Sequence, residues 1–591
     1  MPINTFKEDE STRQVLKIHT LLRLFAYMLK YRKEILQVLG LMLVVIAVGT
    51  VNPLLLKVSI DDKIAKGDVP GLLGILLLAL LLNGISMLCV RERILRMSRV
   101  SNLVLMEIRQ ELYVHIQRLS FNFFDNRPVG KILSRVIGDV NSLKDILTNS
   151  VVTLLPDLAT VVVVLGVMLA LNYRLAVAAL AMLPFLVLGM ANVEIRAHKK
   201  WQTFRQKNSN LSAFTHEDFS GIRVVQGYTA EEKTSRTFGV LQQEVKDSFI
   251  AASRLNDLFW PMVEISWGVG TILVFVLGVG MLDSGEVTVG LLVAFTTYIA
   301  MFWQPIMNLS NFYNQLVTNL AGAERIFEIL DLKPDLQDGP EAEELPEIRG
   351  EVEFEGVDFS YDGREQVLEE VHFHVRPGET VALVGPTGAG KTTIVNLIGR
   401  FYDVDKGTIR IDGRDIRTVT MESLRRQMGI MTQDNFLFSG TVEENIRYGK
   451  LDATREEVEE AAKAVHAHGF IQELPQGYGT LVNERGTGLS GGQRQLIAFA
   501  RTMIARPRLL VLDEATSSID TSTERMVQEG IARLLEGRTA FVVAHRLSTI
   551  QKAHRILFVD GKNILEDGSH RELMDRQGRY YDLYMSQFKW M

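Results

Sequence analysis

A single cysteine in 591 residues leaves no partner for an intrachain disulfide. Cys89 stands in an apolar run, where a lone thiol is a small buried hydrophobe. Positive charge is not in excess: 64 Lys and Arg face 70 Asp and Glu, a formal net charge of −6. That balance offers no basic footprint for nucleic acid. The start of the chain, Met1 to Arg13, is polar and mixed in charge, without the basic-then-apolar pattern of a secretory signal peptide, and none is expected. What the first half has in abundance is long uncharged runs, while the second half reads as a soluble α/β domain.

A membrane-spanning helix needs about 20 mostly apolar residues. Six stretches qualify: Ile35–Leu56, Leu72–Val90, Val151–Leu171, Leu175–Val193, Met262–Leu282 and Val289–Leu309. One or two such runs can be buried core, but six imply a bundle in a bilayer. Lys30, Arg32 and Lys33 precede the first run, and Arg91, Arg93, Arg96 and Arg99 follow the second. The positive-inside rule therefore places the N-terminus and the C-terminal half in the cytosol. Apolar and basic residues mix from Ile18 to Lys33, which suits a helix lying in the membrane surface. Two segments, about Arg91–Ser150 and Glu194–Pro261, read as long helical hairpins in the cytosol, each with a turn-like centre at Phe121–Gly130 and Asp218–Tyr228. Within the spans, Asp157 in the third and Glu264 in the fifth are costly polar groups toward the cytosolic side, candidates for function and equally suited to an interfacial or interhelical structural role. Trp260, Trp267, Phe302 and Trp303 are candidates to line a cavity for apolar or cationic compounds, or to serve as packing and interface anchors.

Between Asp331 and Gly350 the chain is acidic and carries Pro334, Pro340 and Pro346, the composition of an exposed linker. Beyond it, Val352–Phe354, Val381–Val384, Leu509–Leu512, Thr539–Val543 and Ile556–Val559 read as strands of a partly parallel sheet. Between the second of these and a helix read over Thr393–Phe401 lies Gly385-Pro386-Thr387-Gly388-Ala389-Gly390-Lys391-Thr392, which fits G-x-x-x-x-G-K-[ST] at every fixed position. A glycine-rich turn lets backbone N–H groups approach phosphate oxygens, and the helix N-terminus adds partial positive charge. Lys391 can reach the outer phosphates of ATP, and the Thr392 hydroxyl can sit on Mg2+. Asp513 ends the strand Leu509–Leu512, where it can hold the same ion through water, and Glu514 follows it, placed to polarise an attacking water. His545 ends another buried strand and can sense a γ-phosphate, Tyr361 can stack on an adenine ring, and Gln433 is a polar loop residue; on spacing alone each also suits a structural role.

Leu489-Ser490-Gly491-Gly492-Gln493 resembles the signature motif of ATP-binding cassette (ABC) ATPases. Six spans, two cytosolic hairpins and a C-terminal cassette resemble a half-transporter of the type IV ABC exporter family, within its bacterial multidrug branch. The resemblance implies an all-α six-helix transmembrane domain fused to an α/β P-loop ATPase domain, with residues 1–330, 331–349 and 350–591 as membrane domain, linker and nucleotide-binding domain. It implies Tyr361 as the adenine-stacking residue, Gly385–Thr392 with Thr393 as the phosphate loop, and Gln433 as the Q-loop residue at nucleotide and Mg2+. Glu484-Arg485-Gly486 resembles the exporter X-loop, Ser517-Ser518-Ile519-Asp520 the D-loop that brings Asp520 to the nucleotide, and His545 the switch histidine beside the catalytic Glu514. Phe121–Gly130 and Asp218–Tyr228 fall where the family has its coupling helices. In such a family two cassettes meet head to tail, and the signature of one chain closes on the phosphate loop of the other, so a second half-transporter is an implied partner. The intact Glu514 and signature favour a homodimer over a heterodimer. Fusion of membrane and ATPase parts favours export, of amphipathic drug- or lipid-like cargo, from the plasma membrane; an ATP-gated channel, a regulatory membrane ATPase and a non-transport ABC ATPase are the rival readings.

Overall fold

The computed structural model describes residues 18–282, 285–431, 435–483, 486–513, 521–544 and 547–588. The chain forms two compact units, Met1–Gln117 with Gly130–Leu332, and Arg118–Val129 with Lys333–Met591. Among the described residues the first unit has six helical stretches long and apolar enough to cross a membrane, Arg32–Ile64, Val69–Gln117, Val129–Leu171, Tyr173–Ser220, Glu231–Leu282 and Val289–Ile306. The protein is therefore a multi-pass membrane protein. In the most apolar window of Val69–Gln117 no residue is buried, and Leu76, Leu77, Leu80 and Leu81 lie open. Such a face suits hydrocarbon and not water.

Several spans run on as single helices beyond bilayer length. Val69–Gln117 has 49 residues and Leu183–Ser220 has 38, against the roughly 20 that a bilayer needs. The fourth span departs from the sequence reading of one continuous helix. It breaks into Tyr173–Leu180 and a helix beginning at Leu183. Pro184, near the start of the second piece, has no N–H to return to the preceding turn, and a helix accepts proline most readily in its first turn. Inside the bundle Tyr298 is fully buried, and its hydroxyl donates to the Thr50 carbonyl at 2.6 Å. Asp157 pairs with Asn308 and lies near the buried Arg93. The amphipathic helix expected over Ile18–Lys33 covers Ile18–Leu29, with Leu22 and Leu29 exposed and Leu24 buried, and Arg32 and Lys33 open the next helix.

The second unit holds twelve strands among the described residues. The antiparallel sheet β2-β1-β4-β5 is built from Gln366–Val375, Val352–Ser360, Lys406–Ile411 and Arg414–Asp415. The main sheet has the order β12-β11-β3-β10-β9-β6, from Asn563–Gly568, Arg555–Asp560, Thr380–Val384, Thr539–Val543, Leu509–Asp513 and Met428–Met431. The two remaining strands, β7 (Gly440–Thr441) and β8 (Leu481–Val482), pair with each other. Every neighbour pair in the main sheet is parallel except β11 with β12. One apolar core fills the space between the antiparallel sheet and one face of the main sheet, and a second covers the other face with helices that include Gly491–Ile504. The helix after the phosphate loop runs from Lys391 to Ile398 and stops short of the expected Phe401; Gly399 caps it and Arg400 takes φ +47°.

Residues Arg118–Val129, bracketed in sequence by the membrane unit, belong to the second unit. The short helix Phe121–Asp125 sets Phe121 against Phe401, centroids 4.6 Å apart, and Asp125 accepts a hydrogen bond from the Tyr402 hydroxyl. Ser120 and Asn122 both donate to Asp335, at 3.1 and 3.2 Å. The turn-like centre of the second hairpin is also helical: Gly221 ends one helix, and Ile222–Gly227 forms a short one with Phe219, Val224 and Tyr228 exposed.

Candidate nucleotide site

Strand β3 lies between β10 and β11, and all five of its residues are buried. The loop after it thus leaves the carboxyl edge of a mostly parallel sheet near its middle, where such sheets bind ligands. Gly385 takes φ +154°, and a Cβ there would stand 2.0 Å from the Val559 carbonyl oxygen. Gly388 and Gly390 take φ +83° and +103°. The Gly390 N-cap has no side chain to bond the first turn of Lys391–Ile398, and the first intrahelical bond is Ile394 N–H to Gly390 C=O. The N–H groups that open this helix therefore face the loop, as an anion site requires.

Lys391 is 8% exposed and curls over the loop, its Nζ donating to the carbonyls of Gly385 at 2.8 Å and Pro386 at 2.7 Å. Burial pulls its pKa below the usual lysine value, and the charge of Asp513 opposes the shift. Thr392 donates from Oγ1 to Asp513 Oδ2 at 3.3 Å, so the start of the helix after the loop and the end of β9 bring a hydroxyl and a carboxylate together. Asp513 ends β9 in register with Val543 of β10, the strand that leads to His545. Tyr361 is half-exposed, and its hydroxyl bonds Thr393 Oγ1 at 3.0 Å. Phe359 and Tyr402 hold its ring edge-on, at 4.9 and 5.1 Å. The role of Tyr402 escaped the sequence reading. Its aromatic neighbour Phe401, three residues beyond the helix that follows the phosphate loop, is the signal that marks the place.

The signature residues form a separate helix start. Ser490 caps Gly491–Ile504: its hydroxyl accepts from Gln493 N–H at 3.2 Å, and Gln493 Oε1 accepts from Ser490 N–H at 2.9 Å. The box uses the third N–H of the helix and leaves those of Gly491 and Gly492 free of any capping side chain. Ser490 and Gly491 are exposed. Gln433, Glu484 and Arg485, Glu514, the Ser517–Asp520 stretch and His545 lie outside the described residues.

Gly385 gives a direct test of the loop. In Gly385→Ala the methyl collides with fixed backbone at a φ that L-residues rarely adopt. Photocrosslinking of azido-ATP to the membrane-inserted protein is expected to fall at least ~10-fold, a cost of only about 1.4 kcal/mol. Undiminished labelling would show that the loop repacks.

Two protein families match the chain: ABC transporter transmembrane region over residues 35–306, and ABC transporter over residues 368–517. It is 41% identical to an uncharacterized ABC transporter ATP-binding protein, YknV, of Bacillus subtilis (strain 168), over 99% of this chain and 97% of that one. It is 38% identical to an ATP-dependent lipid A-core flippase of Syntrophus aciditrophicus (strain SB), over 90% of this chain and 89% of that one. The fold is similar to the solved structure of a bacterial Atm1-family ABC exporter with ATP bound: TM-score 0.78, 28% identity, 94% of this chain and 98% of that chain covered.

Proposed function

The chain belongs to the ABC transporter family, an ATP-hydrolysing membrane protein with the fold of an exporter half, and from that premise we propose that two copies assemble to drive amphipathic, lipid- or drug-like compounds out of the inner leaflet of the plasma membrane. The observation that carries the reading is the meeting of Lys391, Thr392 and Asp513 at one helix start at the carboxyl edge of the sheet. The lipid A-core flippase relative supports a lipid-like cargo.

We assign residues 1–330 to the membrane domain, 331–349 to the linker and 350–591 to the ATPase domain, the latter cytosolic because Arg91, Arg93, Arg96 and Arg99 flank the second span. Tyr361 offers its exposed face to adenine. The backbone N–H groups of residues 387–392 and the Lys391 ammonium cradle the β- and γ-phosphates, with Thr393 beside them and Pro386, which has no N–H, in the loop. Thr392 Oγ1 and Asp513 are hard oxygen donors of the kind Mg2+ accepts, few enough to leave room for water and phosphate, and Gln433 completes that set. Bound there, such an ion would offset the negative charge of the phosphates. Glu514 takes a proton from the attacking water, and His545 and Asp520 contact the γ-phosphate side of the site. Ser490 and the free amides of Gly491 and Gly492, with Gln493 fixing the cap, offer donors to the phosphate held by the partner chain.

The direct experiment is transport in inside-out membrane vesicles. ATP-dependent uptake of a fluorescent short-chain phospholipid is expected, and uptake equal with and without hydrolysable ATP would favour a passive pore. The Phe121–Asp125 helix gives a second test. Phe121→Ala removes the ring packed on Phe401, which also lies 4.9 Å from the Arg425 guanidinium carbon. Its loss is expected to cut cargo-stimulated ATPase by roughly 5-fold or more, within the 1–3 kcal/mol range of site-to-site coupling, while basal ATPase changes less than twofold. Equal losses in both rates would assign the ring to simple stability.

A further inference from the structure

Two carboxylates stand among the membrane helices, and their surroundings differ. Asp157 has protein partners, Asn308 and the charge of Arg93. Glu264 has a single hydrogen bond among the described residues, accepted by its Oε2 from the Trp260 indole N–H at 2.7 Å, and the residues that line the space beside it include no cation. Glu264 is exposed in the second turn of its helix, so its charge is open to an incoming ligand.

The compensating ligand is legible from the wall around it. Trp260, Glu264 and Trp267 fall three and four residues apart on the helix Phe259–Leu282 and share a face. With Val263 of the same helix, and Ala300, Trp303 and Gln304 of Val289–Asp331, they enclose a cavity of about 170 Å³. The lining contains three indoles and one carboxylate, and neither lysine nor arginine. Indole faces attract cations through their quadrupole, and cages of such rings recognise quaternary ammonium groups. A drug-sized site runs to roughly 300–1,000 Å³, so this cavity suits a head and not a whole molecule. Trp267 and Trp260 are 37% and 59% exposed, which leaves the cavity open on one side for an attached apolar chain. The indole N–H of Trp303, itself 2% exposed, has no acceptor among the described residues and can donate to an oxygen beside that head.

We propose that this cavity is a binding site for the alkylated ammonium head of a single-headed amphiphile, with Glu264 as its counter-ion and Trp260, Trp267 and Trp303 as its aromatic walls. The site names the cargo class for the export reading and rests on it in that respect. Binding itself does not depend on turnover. The same head chemistry comes from a choline-type lipid or from a free cationic amphiphile, and competition separates them.

The chain has five tryptophans, three of them in this wall, so intrinsic fluorescence reports the site. Full-length protein in lipid nanodiscs, without nucleotide, is titrated with decyltrimethylammonium. A saturable fluorescence change is expected, with no comparable change from decyl sulfate or decyl maltoside. Glu264→Gln keeps the size and an oxygen for the Trp260 N–H, and is expected to weaken Kd at least ~10-fold, the loss of the counter-ion's charge beside the three indoles. Gln304→Glu adds a second carboxylate and is expected to tighten it. Dihexanoyl phosphatidylcholine displacing the probe assigns the site to a lipid head, and failure to displace assigns it to free amphiphiles; either keeps the cavity. Equal affinity in wild type and Glu264→Gln, equally tight decyl sulfate, or no saturable change overturns the proposal. Saturable, Glu264-dependent binding without ATP-driven vesicle uptake of the same compound keeps the site and removes the export reading instead.

Discussion

A Glu514→Gln protein is expected to bind MgATP as tightly as wild type and to release phosphate at least ~10²-fold more slowly, the range that a positioned general base contributes. The substitution keeps the size of the side chain and removes its ability to take a proton. The phosphate loop, Lys391 and the Thr392–Asp513 pair are untouched, so the nucleotide-binding groups stay in place. Binding without turnover should trap the closed assembly. Native mass spectrometry of the variant is expected to show two ATP molecules retained per pair of chains, where wild type holds a mixture of ATP and ADP. Phosphate release within threefold of wild type would mean that a different group polarises the water. Arrest with an empty site would place Glu514 in binding and not in chemistry.

That expectation draws on residues the sequence identifies readily, and the reasons are physical. The central strands β3, β9 and β10 are buried on both faces, so they read as unbroken apolar runs such as Leu509–Leu512. The antiparallel strands were harder. β2 alternates buried Leu368, Val371, Phe373 and Val375 with charged or polar residues, and Glu370 at φ +48° interrupts the alternation. β4 carries Lys406 and Arg410 on its open side. Neither has an apolar run to mark it in the sequence. The membrane spans were legible because they lack charge over a bilayer's width, yet the break before Leu183 required giving weight to Pro184. At the site, the pattern named Lys391 and Thr392 but gave no hint that the ammonium is clasped by the Gly385 and Pro386 carbonyls. Nor did spacing show that Tyr402 props Tyr361 while its hydroxyl bonds Asp125, because that contact joins residues 277 positions apart. Sequence alone did not separate Asp157 from Glu264 either; their neighbours differ only in three dimensions.

The second large effect tests whether each ATP is shared between two identical chains. Lys391→Met removes the ammonium at the phosphate loop, and Ser490→Arg sets a bulky cation at the exposed N-cap of the Gly491–Ile504 helix. Loss of either set of contacts to the transferring phosphate is expected to cost ~10²–10³-fold in turnover, the scale of one preorganised electrostatic contact. Each variant alone should therefore be nearly silent. The informative sample is the mixed pair, isolated through two different affinity tags. If the signature of one chain closes on the loop of the other, a mixed pair has one site with both defects and one site with neither. Turnover should then recover to within about tenfold of wild type, against the ~10²-fold or greater deficit of each pure variant. If each chain closed its own signature on its own loop, both sites in the mixed pair would carry one defect and activity would stay at the floor. If the natural partner were a different chain, these two variants would not co-purify through the two tags. The three arrangements thus give three separate results, and only recovery in the doubly tagged pair is compatible with a homodimer in which each molecule completes the other's site.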